Sequence, residues 1–193
     1  MNDQTLPRSP MMMSPGDTVL LVIDVQEKLA AAIADGKRVV WNIRRLLDGA
    51  KILGLRAIGT EQYPQGLGPT VPELAERLGP LPAKLTFSCG GCPGLFAELE
   101  QQGIGKILVA GIETHVCVQQ TVLDLLAAGW SVFVAVDAVG ARFEIDHVAA
   151  LDRMNSAGAT LTTTEAALFE WCTAAGTPEF KQISKLARET IPE

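Results

Sequence analysis

The chain has 193 residues, 48% of them hydrophobic, enough for one well-buried core and too few for two comfortable domains. Its formal net charge is −6 and its basic residues are scattered, which argues against a nucleic-acid surface as the main partner. No apolar stretch of signal-peptide length opens it and none reaches the ~18 residues of a membrane span. With four cysteines expected to stay reduced, the expectation is a cytoplasmic protein without a membrane partner.

Residues 1–16, rich in Met, Pro and Ser, lack periodicity and read as a loose arm, leaving 17–193 as a single domain. "TVLLVID" (18–24) is a continuous apolar run closed by an acid, the pattern of a strand buried on both faces whose carboxyl end carries Asp24. Residues 28–54 read as helix interrupted near Gly36 and ended by Gly54. "LRAIGT" (55–60) is a second strand, followed by the loop "EQYPQGLGPTVP" and a short helix over "ELAERL". "AKLTFS" (83–88) is a weaker strand or strand end bearing Lys84, "CGGCPG" a turn, and "LFAELEQQG" a helix.

The second half repeats this rhythm. "KILVAG" is a strand, 116–128 a helix, "SVFVAVDA" (131–138) a strand, 146–157 a helix, "TLTT" a last short strand, and "EAALFEWC" a helix before an amphipathic tail. Strands alternating with helices predict an α/β fold: a three-layer, Rossmann-like arrangement with a mainly parallel sheet of about six strands and helices on both faces.

Cys117 falls between a buried strand and an amphipathic helix, in or beside the first helical turn. Unpaired backbone N–H groups and the helix dipole favour a thiolate there, although a buried cysteine most often serves as a small hydrophobe. In doubly wound sheets ligands bind outside the carboxyl ends of the strands, where strand order reverses. If the first strand neighbours the fourth, Asp24 and Cys117 face one crevice, and Lys84 sits on a third strand. An acid, an amine and a thiol so placed suit nucleophilic catalysis: the acid takes the thiol proton and the helix start supplies oxyanion donors.

These residues resemble the isochorismatase-like cysteine hydrolases, which include nicotinamidases. The resemblance rests on "LLVIDVQEKL" (20–29), Lys84 with its polar turn, "GIETHVCVQQTVLDLLAAG" (111–129) and "VAVDAVGAR" (134–142), and covers nearly the whole chain beyond the arm. With "TEQYPQGLGPTVPEL" it looks like the isochorismatase domain-containing branch. The resemblance implies a catalytic triad of Asp24, Lys84 and Cys117, and a cis peptide at Ile112–Glu113 beside Cys117 that helps form the oxyanion site. Gln26, Tyr63, Phe87 and Glu113 are the candidate substrate-binding residues.

The chain departs from nicotinamidases by having Glu61-Gln62-Tyr63 where they carry an Asp-x-His metal pair, so no metal site and no cofactor are expected. Siderophore-pathway isochorismatases generally lack the cysteine that this chain keeps. The expectation is therefore a cysteine-dependent hydrolase of a small amide or related acyl compound, working through a thioester, with a small-molecule substrate and a homo-oligomeric state (dimer or tetramer). Two alternatives stand beside it: a non-enzymatic binding or interaction protein that retains the fold, and a thiol redox protein using Cys89 and Cys92, whose C-x-x-C spacing permits a disulfide. His115, two residues before Cys117, is a further candidate for a Cys-His dyad.

Overall fold

The computed structural model describes residues 6–191. Six strands form one sheet: β1 (Thr18–Ile23), β2 (Arg56–Gln62), β3 (Ala83–Lys84), β4 (Lys106–Ile112), β5 (Ser131–Gly140) and β6 (Thr160–Thr162). Their order is β3-β2-β1-β4-β5-β6 and every pairing is parallel. The order reverses between β1 and β4, so the ends of those two strands form the topological switch point beside which ligands bind in such sheets.

Alternation along β1 feeds two cores. Leu20 and Val22 join one apolar cluster, with Ile43, Leu46 and Trp171, while Val19, Leu21 and Ile23 join the other, with Val118, Val122 and Met154. A strand buried on both faces has no solvent side to mark with polar residues, which is why it reads as an unbroken apolar run. The first cluster is covered by α2 (Gly36–Leu53), α4 (Pro72–Leu78), α8 (Thr164–Cys172) and α9 (Pro178–Ala187). The second lies under α5 (Pro93–Gln101), α6 (Gln119–Ala127) and α7 (Glu144–Ser156). Two short helices, α1 (Glu27–Ala32) and α3 (Pro64–Leu67), lie beyond the ends of β1 and β2.

Gly111 lets β1 and β4 approach closely. Its φ is 133°, and a Cβ there would stand 2.2 Å from the Ile23 carbonyl oxygen. Only glycine accepts both conditions.

Three expectations need correction or narrowing. The helix expected over 116–128 begins as a wide turn, Thr114–Val118, in which Val118 N–H donates to the Glu113 carbonyl, before α6 proper. Of the strand or strand end expected over 83–88, only Ala83–Lys84 is strand, because the backbone bends away immediately after Lys84, so the shorter reading holds. The arm is not loose throughout: residues 1–5 lie outside the described residues, but Met13 is fully buried in the first cluster. Arg8 Nη2 donates to the carbonyls of Met13 (3.0 Å) and Glu170 (2.6 Å), which ties this segment to α8.

Candidate active site

Asp24 follows β1 with a φ of 53°, a left-handed conformation that aspartate tolerates better than most residues. Its N–H donates to the Thr60 carbonyl at 3.2 Å, so the carboxylate is held beside the end of β2, out of solvent. Lys84, at the end of β3, brings its ammonium to 2.6 Å from Asp24 Oδ2. The same Nζ also meets Gln62 Oε1 (2.9 Å) and the carbonyls of Phe87 (2.8 Å) and Thr86 (3.2 Å), all acceptors. Thr60 Oγ1 donates to the other carboxylate oxygen, Oδ1, at 2.9 Å. A buried charge pair is tolerated only when its remaining hydrogen-bonding capacity is met, and here both partners are well supplied.

Cys117 lies in the wide turn after β4, 4% exposed. Burial and the charge of Asp24 push its thiol well above the ordinary range, against a smaller opposing pull from Lys84. This corrects the thiolate expected from the helix start: withdrawal from water beside a carboxylate outweighs the few unpaired N–H groups of the turn. Both influences favour the neutral thiol over the thiolate.

The peptide between Ile112 and Glu113 is cis, at the position the resemblance implied. Glu113 is buried, and its Oε1 accepts from Arg142 Nε (2.9 Å) and Arg142 N–H (3.2 Å), linking the end of β4 to the segment after β5. Tyr63 and Phe87 are 50% and 51% exposed, so neither forms the buried apolar wall expected of it. Gln26 is placed differently from a substrate contact. Its side chain is fully buried, donating to the carbonyls of Gln62 (3.0 Å) and Gly68 (2.6 Å) and accepting from Gln62 N–H (2.8 Å), so it anchors the loop after β2. Glu61 Oε1 is likewise engaged, by the N–H and hydroxyl of Thr70.

Among the described residues, no three His, Cys, Asp or Glu side chains converge to hold a metal ion, and no helix is long and apolar enough to cross a membrane. His115 faces α7, with Nε2 3.9 Å from Asp146 Oδ2. The four cysteines are free thiols. Cys89 is buried and Cys92 is partly exposed, at opposite ends of a short 3-10 turn.

Thr60, which the sequence reading did not single out, and Gln62, which it met only in the stretch Glu61-Gln62-Tyr63, each hold one partner of the ion pair. They stand two apart on β2, and residues at that spacing share a face of a strand. The polar run Thr60-Glu61-Gln62 closing β2 was the available signal.

The description "isochorismatase domain" matches residues 18–166. The chain is 43% identical over 181 residues to isochorismatase domain-containing protein 2 of Homo sapiens, covering 93% of this chain and 87% of that one. Among solved structures, it resembles the MAR1 ribonuclease of Caenorhabditis elegans at 40% identity, with a TM-score of 0.86 and 94% and 95% of the two chains covered. It also resembles YcaC from Pseudomonas aeruginosa, seen with covalent acrylamide, at 26% identity, TM-score 0.85 and 94% coverage of each. YcaC from Escherichia coli, described as an octameric hydrolase of unknown specificity, matches at 25% identity and TM-score 0.85, covering 94% of this chain and 93% of that one.

Proposed function

The chain belongs to the isochorismatase family, and from that premise we propose that it is a cysteine-dependent hydrolase of a small amide or related acyl compound. The observation that carries this reading is the convergence of Asp24, Lys84 and a neutral Cys117 at the switch point of the sheet. Cys117 Sγ attacks the substrate carbonyl carbon as its proton passes to Asp24. Backbone N–H groups around 113–117 stabilise the oxyanion. The proton now on Asp24 goes to the departing amine, the C–N bond breaks, and a thioester remains. Water, activated by Asp24 in turn, attacks the thioester and releases the acid and the free thiol.

Lys84, donating to Asp24 Oδ2, positions the carboxylate. The scheme routes nothing through a metal, since Glu61, at the position of the nicotinamidase ligand pair, is engaged by Thr70. Covalent acrylamide in a YcaC relative supports a nucleophile able to meet a small amide-bearing electrophile.

A homo-oligomer in the cytoplasm is part of the same reading. It is supported by the octameric relative and by the exposed apolar side chains Phe143, Ile145 and Val148 at the start of α7. Light scattering on the full chain checks the assembly, and a monodisperse monomer at working concentration would contradict it.

The deciding experiment is turnover on a panel of small amides, esters and imides, with RNA included because one relative is called a ribonuclease. Hydrolysis of an amide that Cys117→Ala lowers by at least ~10³-fold, with an acyl adduct on Cys117 trapped by acid quench, is expected. RNA cleavage that survives Cys117→Ala would replace this reading.

A further inference from the structure

The scheme above uses one thiol, yet a second is wired to the same base. Cys89 is fully buried, its Sγ 3.5 Å from Thr60 Oγ1, the hydroxyl that donates to Asp24 Oδ1 at 2.9 Å. With Thr60 donating to the carboxylate, the Cys89 S–H is the donor to Thr60, so a proton path runs from Cys89 through Thr60 to Asp24. The backbones are also tied. Thr121 Oγ1 accepts from Cys89 N–H at 2.9 Å and donates to the Cys117 carbonyl at 2.7 Å, placing the two cysteine backbones within two hydrogen-bond lengths of one another. Ser88 Oγ, donating to Asp124 Oδ2 at 2.6 Å, fastens the same turn to α6.

We propose that Cys89 is a resolving thiol for Cys117, closing a reversible Cys89–Cys117 disulfide when hydrogen peroxide oxidises the nucleophile. This inference rests on the reading of Cys117 as a nucleophile with Asp24 as its base. In the first step Cys117 gives its proton to Asp24 and attacks a peroxide oxygen. The O–O bond breaks, Cys117 becomes a sulfenic acid, and the departing hydroxide takes the proton from Asp24 to leave as water. In the second, Cys89 passes its proton through Thr60 to Asp24 and attacks the Cys117 sulfur. The S–O bond breaks and the hydroxide leaves as water with that proton. Two thiols and one peroxide give one disulfide and two waters; sulfur is oxidised and peroxide oxygen reduced.

Burial pushes the Cys89 thiol up to about 11, against the lowering influence of its contacts with Thr60 and Thr121, so it stays protonated at neutral pH and needs that path. Cys92 has no comparable link. It lies at the far end of the turn, partly exposed, donating its N–H to the Cys89 carbonyl. The disulfide would stop oxidation at a state that a dithiol reverses, where an unprotected sulfenic acid proceeds to the irreversible sulfinic form.

The test treats the full chain with a several-fold molar excess of hydrogen peroxide at neutral pH, since a sulfinic acid consumes two peroxides per thiol, and maps tryptic peptides without reduction. Cys89 and Cys92 fall on one peptide, 85–106, and Cys117 on another, 107–142, so Cys92→Ser is used beside the wild type to make the linkage unambiguous. The expected result is a joined pair of peptides two hydrogens lighter, restored by dithiothreitol, and in Cys89→Ala and Cys89→Ser a Cys117 peptide carrying two added oxygens that dithiothreitol does not remove. Equal sulfinic acid with and without Cys89, or a disulfide between Cys89 and Cys92 alone, overturns the inference. Acrylamide labelling in parallel separates the two readings: Cys117 that labels but never pairs with Cys89 overturns this inference alone, whereas Cys117 inert to both reagents overturns the nucleophile as well.

Discussion

Lys84 Nζ and Asp24 Oδ2 are 2.6 Å apart, with side-chain exposures of 1% and 0%. A pair this well buried is costly to break from one side, because the remaining charge loses both partner and water. Lys84→Met is expected to lower stability by about 3–5 kcal/mol, while the double variant Asp24→Asn with Lys84→Met, which leaves no buried charge there, recovers much of the loss. Urea denaturation of the three proteins checks this. Lys84→Met as stable as wild type would mean that water reaches the pair.

The same pair is expected to behave as one unit in turnover. Asp24→Asn removes the proton acceptor and should lower the rate by about 10²–10⁴-fold. Lys84→Met should fall in the same range, because it acts through Asp24. The double variant should then be little worse than either single. Losses that multiply would show that Lys84 meets the substrate separately.

At Gly111 the obstacle to substitution is backbone, not a side chain that can swing away. A Cβ there meets the Ile23 carbonyl oxygen at 2.2 Å and its nitrogen at 2.6 Å, at a φ of 133°. Gly111→Ala is therefore expected to cost roughly 4 kcal/mol or to prevent folding, since neither β1 nor β4 can retreat from the middle of the sheet. Gly54→Ala is the comparison. Gly54 caps α2 at a φ of 69° with nothing within 4 Å of the added carbon, so only the left-handed backbone cost of about 1–2 kcal/mol applies. Thermal unfolding of the two variants tests the difference, and similar losses would mean that the strands yield.

What the sequence made legible was mostly what depends on period and chain order. Apolar runs marked β1, β4 and β5, alternation with helices implied a parallel sheet, and the acid closing β1 announced Asp24. Strand order drew Lys84 and Cys117 to it, and the resemblance made the three a triad. Other features depend on contacts between distant segments, which no local pattern encodes. The role of Gln26 arises from backbone groups 36 and 42 residues away. Met13 is held by Arg8 and Glu170 from opposite ends of the chain, so an aperiodic arm still has a buried residue. The state of Cys117 was misread for the same reason: the helix start is a local feature, whereas the burial and the carboxylate that dominate it come from β1 and its neighbours.

Gln26 offers a direct test of positioning against substrate contact. Gln26→Leu removes the acceptor for Gln62 N–H and two donors to loop carbonyls, and unpaired buried groups cost about 1–3 kcal/mol each. Lower stability and faster hydrogen exchange at Gln62 are expected, with turnover reduced because Gln62 Oε1 holds Lys84. Unchanged stability with a raised KM would instead assign Gln26 to the substrate.

The thiols make the protein sensitive to alkali, with a sign that follows from proton binding. Cys89 and Cys117 both have folded pKa values above the ~8.5 of an unfolded thiol. Between those limits the folded state binds more protons than the unfolded state, so stability falls as pH rises. The contribution is fully present below about pH 8.5 and is lost for Cys89 as pH climbs through about 11. Stability measured by urea between pH 7 and 10 should decline at the upper end, and Cys89→Ala should decline less steeply. The same shift bears on reactivity, because alkylation needs the thiol proton removed. With Asp24 taking that proton as Sγ attacks, iodoacetamide modification of Cys117, followed by peptide mapping, should vary less than about tenfold between pH 7 and 9, whereas in Asp24→Asn it should rise about tenfold per pH unit. A wild-type profile as steep as that of Asp24→Asn would mean that the carboxylate does not take the proton.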